Sequence, residues 1–298
     1  MTTNRVLVVV LLMFVPAVSA FGQDGLALMK VETGARETGM AGAAVSLSGE
    51  PNAVFYNPAA AAGTKRFALS FGHNSYWENI RIETGYFVGN LGDRTAVHGG
   101  IRYGAVDNLE SRLIPSTESD ALFSAYDVSF KGGLSFEATQ KLAFGLALGW
   151  YIEKIDIYRG SAFNIDFGTL YRASPQLSLG ASVTNLGSTL SLATSGKPGS
   201  EDISLPTTYR FGGSYRYQKY LGAADVVIVD DEFHLHLGAE ADLHEAFAVR
   251  AGYMFGYDTK NLTAGVSFTH RNVTVDYAFV PYSNDLGTSH LFNLTFTL

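Results

Sequence analysis

Apolar side chains occupy every second position along much of the chain. In the stretch 141–155, KLAFGLALGWYIEKI, six of them share one face. They are Leu142, Phe144, Leu146, Leu148, Trp150 and Ile152. The positions between them are mostly small or polar, as at Gly145, Ala147 and Gly149. A period of two residues is the signature of a β-strand, so this stretch predicts a long strand with one apolar face and one small or polar face.

The same period returns in segment after segment from residue 65 to the C-terminus. The predicted strands are 65–73, 76–90, 94–104, 122–137, 141–154, 161–172, 177–186, 206–217, 224–230, 232–243, 246–255, 262–270, 273–281 and 289–298. Each is near ten residues long, which is roughly the length that a tilted strand needs to cross a bilayer. We therefore predict an all-β fold over 64–298, a transmembrane antiparallel β-barrel of about 14 strands.

Charged residues fall mainly on the face opposite the apolar one. The candidate lumen-facing charges are Arg102, Asp127, Asp166, Arg210, Glu240 and Arg250. In the predicted strand 76–90 the same phase turns Ile82 and Val88 outward and Arg81 inward, whereas 224–230 is apolar on both faces and stays unassigned. A soluble β-sandwich is the alternative, but its shorter strands would alternate over about five residues at a time.

The lengths of the connections predict how the barrel is oriented. Several short connections, such as 91–93 and 271–272, would lie at one end of the barrel, and the long connections 105–121 and 187–205 would lie at the other. Short periplasmic turns and long extracellular loops are typical of outer-membrane barrels. We expect the chain to enter its first strand from the periplasm and to lie in the outer membrane of a Gram-negative-type cell, in contact with lipid.

The N-terminus, MTTNRVLVVVLLMFVPAVSA, has the order of a secretory signal peptide. One positive charge, Arg5, precedes an apolar run over 6–15 and a small-residue end. That run is about ten residues, shorter than the roughly 20 of a membrane-spanning helix. We predict a signal peptide over 1–20 that is cleaved after Ala20, in preference to a membrane anchor.

Composition excludes some classes of function. The 298 residues carry a net charge of −7, which gives no basic footprint for nucleic acid. Cysteine is absent, so disulfides and thiolate metal sites are excluded.

Catalysis is not expected. His234 and His236 share a strand face with Glu240 and Asp242, but charges of both signs inside a barrel routinely pair as structural networks. The sequence GKPGS at 196–200 lacks the setting of a phosphate-binding loop. We predict no catalytic, cofactor or metal site.

The segment 21–63, between the signal peptide and the barrel, differs in composition. It contains GARETGMAGAAVSLSG (34–49) and EPNAVFYNPAAAAG (50–63). Its glycine and alanine spacing allows a short helix that packs closely, and Val54, Phe55 and Tyr56 favour a plug inside the lumen over a loose periplasmic leader.

At these residues the sequence resembles the PorV/PorQ family of outer-membrane proteins, relatives of the FadL-type fatty-acid channels. The matching segments are GARETGMAGA (34–43), NAVFYNPAA (52–60), LPTTYRFGGSYRY (205–217), FAVRAGYMFGYD (247–258) and VDYAFVPYSNDLGTSHLFNLTF (275–296). Ala41 stands where the family usually has glycine. The plug positions that match the family motif are Arg36, Gly39, Gly42, Asn57 and Pro58.

The resemblance implies a non-enzymatic component or shuttle of type IX protein secretion and surface attachment. Its partners would be secretion-system subunits or secreted cargo, bound at the long loops. The alternative is a FadL-like channel for hydrophobic small molecules, which would need an apolar pocket and an opening in the wall. We also expect Arg36 to fix the plug by pairing with a lumenal carboxylate, Asp166 or Glu240.

Overall fold

A computed structural model of the protein describes residues 26–76, 79–112, 114–194, 199 and 202–298. The predicted signal peptide therefore lies outside the described residues. No helix in the part of the chain that the structure describes is long and apolar enough to cross a membrane.

Within these ranges, fourteen antiparallel strands close into one barrel, as the alternation predicts. They are β1 (Ala68–Ser75), β2 (Arg81–Asn90), β3 (Thr95–Ser111), β4 (Ala121–Glu137), β5 (Leu142–Ile155), β6 (Tyr158–Arg172), β7 (Leu177–Gly187), β10 (Thr208–Tyr217), β11 (Tyr220–Val229), β12 (Glu232–His244), β13 (Phe247–Phe255), β14 (Leu262–His270), β15 (Val273–Pro281) and β16 (Thr288–Thr297). Two further strands, β8 (Thr189–Leu190) and β9 (Ile203–Ser204), form a separate two-stranded sheet. Closure comes from the pairing of β1 with β16, which satisfies backbone groups that lipid could not.

The two faces of β5 confirm the prediction from the alternation over 141–155, with apolar residues outside and small residues inside. On the outside, Leu148 is 61% exposed and Phe144 is 48% exposed, as suits side chains that contact lipid. On the inside, Ala143, Ala147 and Tyr151 are buried. The small residues of this face leave room for the segment that fills the lumen.

Strand β2 has the opposite phase from the one predicted. Ile82 and Val88 are buried inside the barrel, and Arg81 and Glu83 are exposed on the outside. Val88 packs with Ala53 and other small apolar residues, so this part of the lumen is lined by protein and not by water. The prediction was wrong because it assumed a polar lumen along every strand.

Strand β11, which the sequence left unassigned, buries Asp225 and Val227 in the lumen and turns Val226 and Ile228 toward the outside. The apolar residues on its inner face again contact the plug, since Leu221 and Ala223 pack beside Met40, Ala43 and Ala44.

The two connections predicted to be long loops are more ordered than expected. Strands β3 and β4 continue into the first of them, with Leu109 opposite Phe123 and a register shift between Val106 and Leu109. The segment 187–205 contains the β8–β9 sheet, and it folds back so that Leu190 packs beside Leu26 and Met29.

Residues 26–63, which we call the plug, lie inside the barrel. They contain the short helix α1 (Ala35–Gly39) and three 3₁₀ turns, Ala27–Lys30, Pro51–Phe55 and Pro58–Ala61. The plug begins beside the loop 187–205, and its end contacts Arg172, which donates to the carbonyl of Ala62. It thus runs from the extracellular end of the lumen toward the periplasmic end, where β1 starts.

Candidate functional site

The glycines of the plug motif allow helix α1 to lie directly on the barrel wall. Gly39 faces Gly265 of β14, and a Cβ on Gly39 would lie 3.1 Å from the Gly265 Cα. After α1 the chain turns at Gly42, whose φ of +70° favours glycine. Because neither wall nor helix carries a side chain at the contact, the two backbones meet.

Asn57 and Pro58 fasten the other half of the plug. The Asn57 side-chain amide donates to the carbonyls of Val45, at 2.7 Å, and Thr169, at 3.0 Å, and its oxygen accepts from the Ala59 amide. The carbonyl of Pro58 accepts a hydrogen bond of 2.6 Å from Ser135 of β4. These bonds join two parts of the plug to each other and to the wall.

Arg36 binds Glu240, one of the two carboxylates predicted as its partner. Its Nε lies 2.8 Å from Glu240 Oε2, and its Nη2 lies 3.0 Å from Oε1. The same carboxylate accepts from Arg250 at 2.7 Å and from Arg216 at 3.0 Å. Arg250 also reaches Asp276 at 3.0 Å. This network lines a cavity of about 370 Å³ at the periplasmic end of the lumen.

The remaining lumenal charges form separate groups. Asp166, the other carboxylate proposed for Arg36, instead accepts from Lys131 at 2.6 Å. Asp127 accepts from the hydroxyl of Tyr151 at 3.0 Å, and Arg102 donates to the carbonyl of Val31 in the plug, also at 3.0 Å. All six residues predicted to face the lumen therefore lie on that side of the wall, and Arg102 and Glu240 contact the plug directly.

Two plug contacts were missed from the sequence. Asp225 of β11 is fully buried and accepts from the amides of Ala44 and Val45, at 2.7 and 2.8 Å. Lys260 places its ammonium 2.9 Å from both carboxylate oxygens of Glu32. A lone acid at the start of an apolar strand was the available signal for Asp225, but only the fold shows what it binds.

The plug carboxylates have pKa values shifted in opposite directions. Burial raises the pKa of Glu32, but the Lys260 ammonium opposes it and the pKa lies below its ordinary value. Glu37 is fully buried, and neither of its oxygens has a hydrogen-bond partner in the described residues. Burial raises its pKa to about 7.

The histidines of β12 are separated from the acids with which they were considered as a cluster. The His234 ring stacks on Tyr257 with centroids 3.9 Å apart, and His236 Nε2 lies 2.9 Å from the Tyr257 hydroxyl. Glu240 lies with the arginines toward the periplasmic end. Across the described ranges, no group of three or more His, Cys, Asp or Glu residues is arranged to hold a metal ion.

The chain matches a known protein family over most of its length. Residues 50–296 match the family described as type IX secretion system membrane protein PorP/SprF. No curated protein matches the sequence.

Solved structures resemble the barrel at low sequence identity. The toluene transporter TbuX of Ralstonia pickettii has a TM-score of 0.65 and 15% identity, over 89% of this chain and 97% of that one. The Pseudomonas putida toluene transporter TodX gives 0.63 and 13%, over 89% and 97%. A FadL homologue of Pseudomonas aeruginosa gives 0.61 and 11%, over 89% and 98%. At these identities the likeness concerns the fold alone.

The family match supports the coarser part of the resemblance drawn from the motifs. The matching family is PorP/SprF and the PorV/PorQ name is not confirmed, although an outer-membrane barrel, type IX secretion and a FadL-like fold are common to both readings. The chain belongs to the PorP/SprF family of type IX secretion system membrane proteins.

Proposed function

We propose that the protein is a non-enzymatic component of type IX secretion that binds protein partners at the cell surface, with its lumen closed. The observation that carries this proposal is the plug, which is bonded to the wall at both ends. Near the start of the plug Arg36 binds Glu240, and at its end the carbonyl of Ala62 accepts a hydrogen bond from Arg172. A barrel filled in this way serves better as a scaffold than as an open pore.

The hairpin of β3 and β4 is the surface proposed to bind the partner. The neighbouring strands stop short of its tip, because β2 begins opposite Ala105 and β5 ends opposite Ala125. The residues beyond these positions project outside the membrane. They include Leu122, which is 59% exposed, and the charged residue Glu110. Secretion-system subunits and secreted cargo are the partners this surface would bind, as a shuttle of the PorV/PorQ type would.

This proposal is tested by shortening the hairpin in cells. Residues 107–124 are replaced by an Asn-Gly turn, and the tagged protein is crosslinked and purified from outer membranes for mass spectrometry. Because the projecting surface is lost and the barrel is kept, we expect recovery of secretion subunits or cargo to fall at least tenfold.

A matched control replaces the periplasmic turn 91–93 with the same Asn-Gly sequence, and we expect it to leave recovery unchanged. Equal recovery from wild type and the shortened hairpin would contradict the proposed surface. If the barrel were recovered only with lipid or small molecules, the secretion proposal itself would fail.

A channel for hydrophobic small molecules is the second candidate, and the FadL-like fold favours it. The cavity beside Met29, Phe55 and Tyr86, within the lumen, has a volume of about 20 Å³, room for about one water molecule. Passage of a solute through this part of the lumen would therefore require the plug to move. Toluene crosses a bare phospholipid bilayer unaided, so the test is toluene uptake by intact cells with and without the protein, and equal uptake would exclude this role.

A further inference from the structure

A second cavity lies at the extracellular end of the lumen, between the plug and strands β10 to β12. Its volume is about 440 Å³, within the roughly 300–1,000 Å³ of small-molecule sites. Val227 and Val229 form an apolar part of its wall, and Lys30, Arg210 and Lys260 supply positive charge. The cavity thus combines an apolar surface with three cations.

Two of these cations are neutralised where they lie. Lys30 forms an ion pair with Asp230, and Lys260 binds Glu32. A third acid, Glu232, stands at the rim with its side chain 73% exposed, 3.7 Å from His234. The acids at the rim disfavour ligands that carry more than one negative charge.

Arg210 has no such partner. Its Nη1 reaches Thr184 Oγ1 at 3.4 Å, its guanidinium carbon lies 5.4 Å from the centre of the Tyr56 ring, and its Nε is buried with no hydrogen-bond partner. In the described part of the chain it forms no salt bridge. Asp225, on the next strand, accepts hydrogen bonds from plug amides through one oxygen and makes no ion pair with Arg210.

A half-buried guanidinium whose Nε has no acceptor and which has no carboxylate partner is unfavourable, and its planar donors match the two oxygens of a carboxylate. We propose that this cavity binds a small organic monocarboxylate from outside the cell. Its carboxylate accepts from Arg210, and its apolar part lies along Val227 and Val229. This binding site is separate from the hairpin and does not depend on the secretion role.

The test uses the purified barrel in detergent and ligand-observed NMR titration with benzoate. Benzamide, of the same shape but neutral, and inorganic phosphate are titrated in parallel. We expect saturable benzoate binding that is at least tenfold tighter than that of benzamide. Absence of saturable benzoate binding, or equal affinity for benzamide, would overturn the proposal, and preference for phosphate would overturn the ligand class.

Substitutions locate the site. Arg210→Gln should weaken benzoate binding at least tenfold, and Arg210→Lys, which keeps the charge but not the paired donors, should give an intermediate affinity. Arg81→Gln is the matched control, because Arg81 lies outside the barrel near the same end and pairs with Asp107. Heat-modifiable migration verifies folding of each variant. Unchanged binding in both folded Arg210 variants would disprove the role of this residue.

Discussion

The plug meets two sides of the barrel wall in different ways. Toward β12 to β15 a charged network, with Glu240 between Arg36 and Arg250, is added to the close contact of Gly39 with Gly265. Toward β4 to β6 the contact is made by backbone, because Gly145 and Gly168 leave space that the chain around Asn57 and Pro58 fills.

The difference separates an adjustable contact from a fixed one. A buried ion pair is destabilised when one partner loses its charge or is replaced by another group. A contact between two backbones depends only on the absence of a Cβ. If the plug moves in function, we expect its charged side to release first and its glycine side to act as the fixed edge. Three predictions test this comparison.

The largest effect is expected from Glu240→Gln. The change leaves Arg36, Arg250 and Arg216 without a shared carboxylate, and breaking a buried network in this way costs about 3–5 kcal/mol. The free energy of unfolding in detergent, measured by urea titration, and cleavage of the plug by added protease should both report the loss.

Glu83→Gln is the control for this variant. Glu83 pairs with His73 on the exposed outer surface, and such pairs contribute about 0–1 kcal/mol. If Glu240→Gln cost no more than this control, the charged side would not hold the plug.

The next effect is a dependence of plug seating on pH. Glu37 lies in the plug, outside the membrane-spanning strands, and burial raises its pKa from 4.5 to about 7, with Arg36 opposing and Glu50 and Asp276 adding to the rise. The Glu37 carboxyl binds its proton more tightly in the seated plug than in the released plug. The stability of the seated plug therefore falls as pH rises from 4.5 to about 7. The loss is about 3 kcal/mol and stays constant above that range.

Protease protection of the plug between pH 4.5 and 8 measures this dependence. Glu37→Gln removes the titrating group and should give protection that varies much less with pH. An equally steep loss in both proteins would assign the dependence to another group.

The sequence predicts the outer face of the barrel better than the inner face. Alternation located the fourteen barrel strands because lipid favours apolar residues on the outer face of most of them. No such preference exists inside, so β2 could turn Val88 toward the apolar residues Ala53 and Val54 of the plug and invert the predicted phase. Lipid surrounds the barrel as a whole, whereas the groups that contact the inner face differ from strand to strand.

The contacts between the plug and the wall could be predicted only where one of the residues lies in a recognisable sequence motif. Arg36 stood out by its motif and the alternation gave Glu240 as a possible partner, but the contact of Asp225 with Ala44 joins residues about 180 positions apart. The projection of the hairpin was also hidden, since Asp107 and Glu110 lie in a segment whose polar composition is typical of a loop.

The smallest of the three effects is expected from Gly145→Ala, which tests the fixed side. A Cβ at this position of β5 would clash with the backbone of Pro58 and Ala59, which no rotamer change can relieve. Overpacking of this kind costs about 1–3 kcal/mol.

Gly132→Ala is the matched control, because a Cβ on this β4 residue has no atom within 4 Å, and removing a glycine adds at most about 1 kcal/mol of stability. Urea titration and heat-modifiable migration of the two variants, side by side, give the difference. If Gly145→Ala were as stable as Gly132→Ala, the plug would yield on its glycine side as well, and the distinction between a fixed and an adjustable contact would not hold.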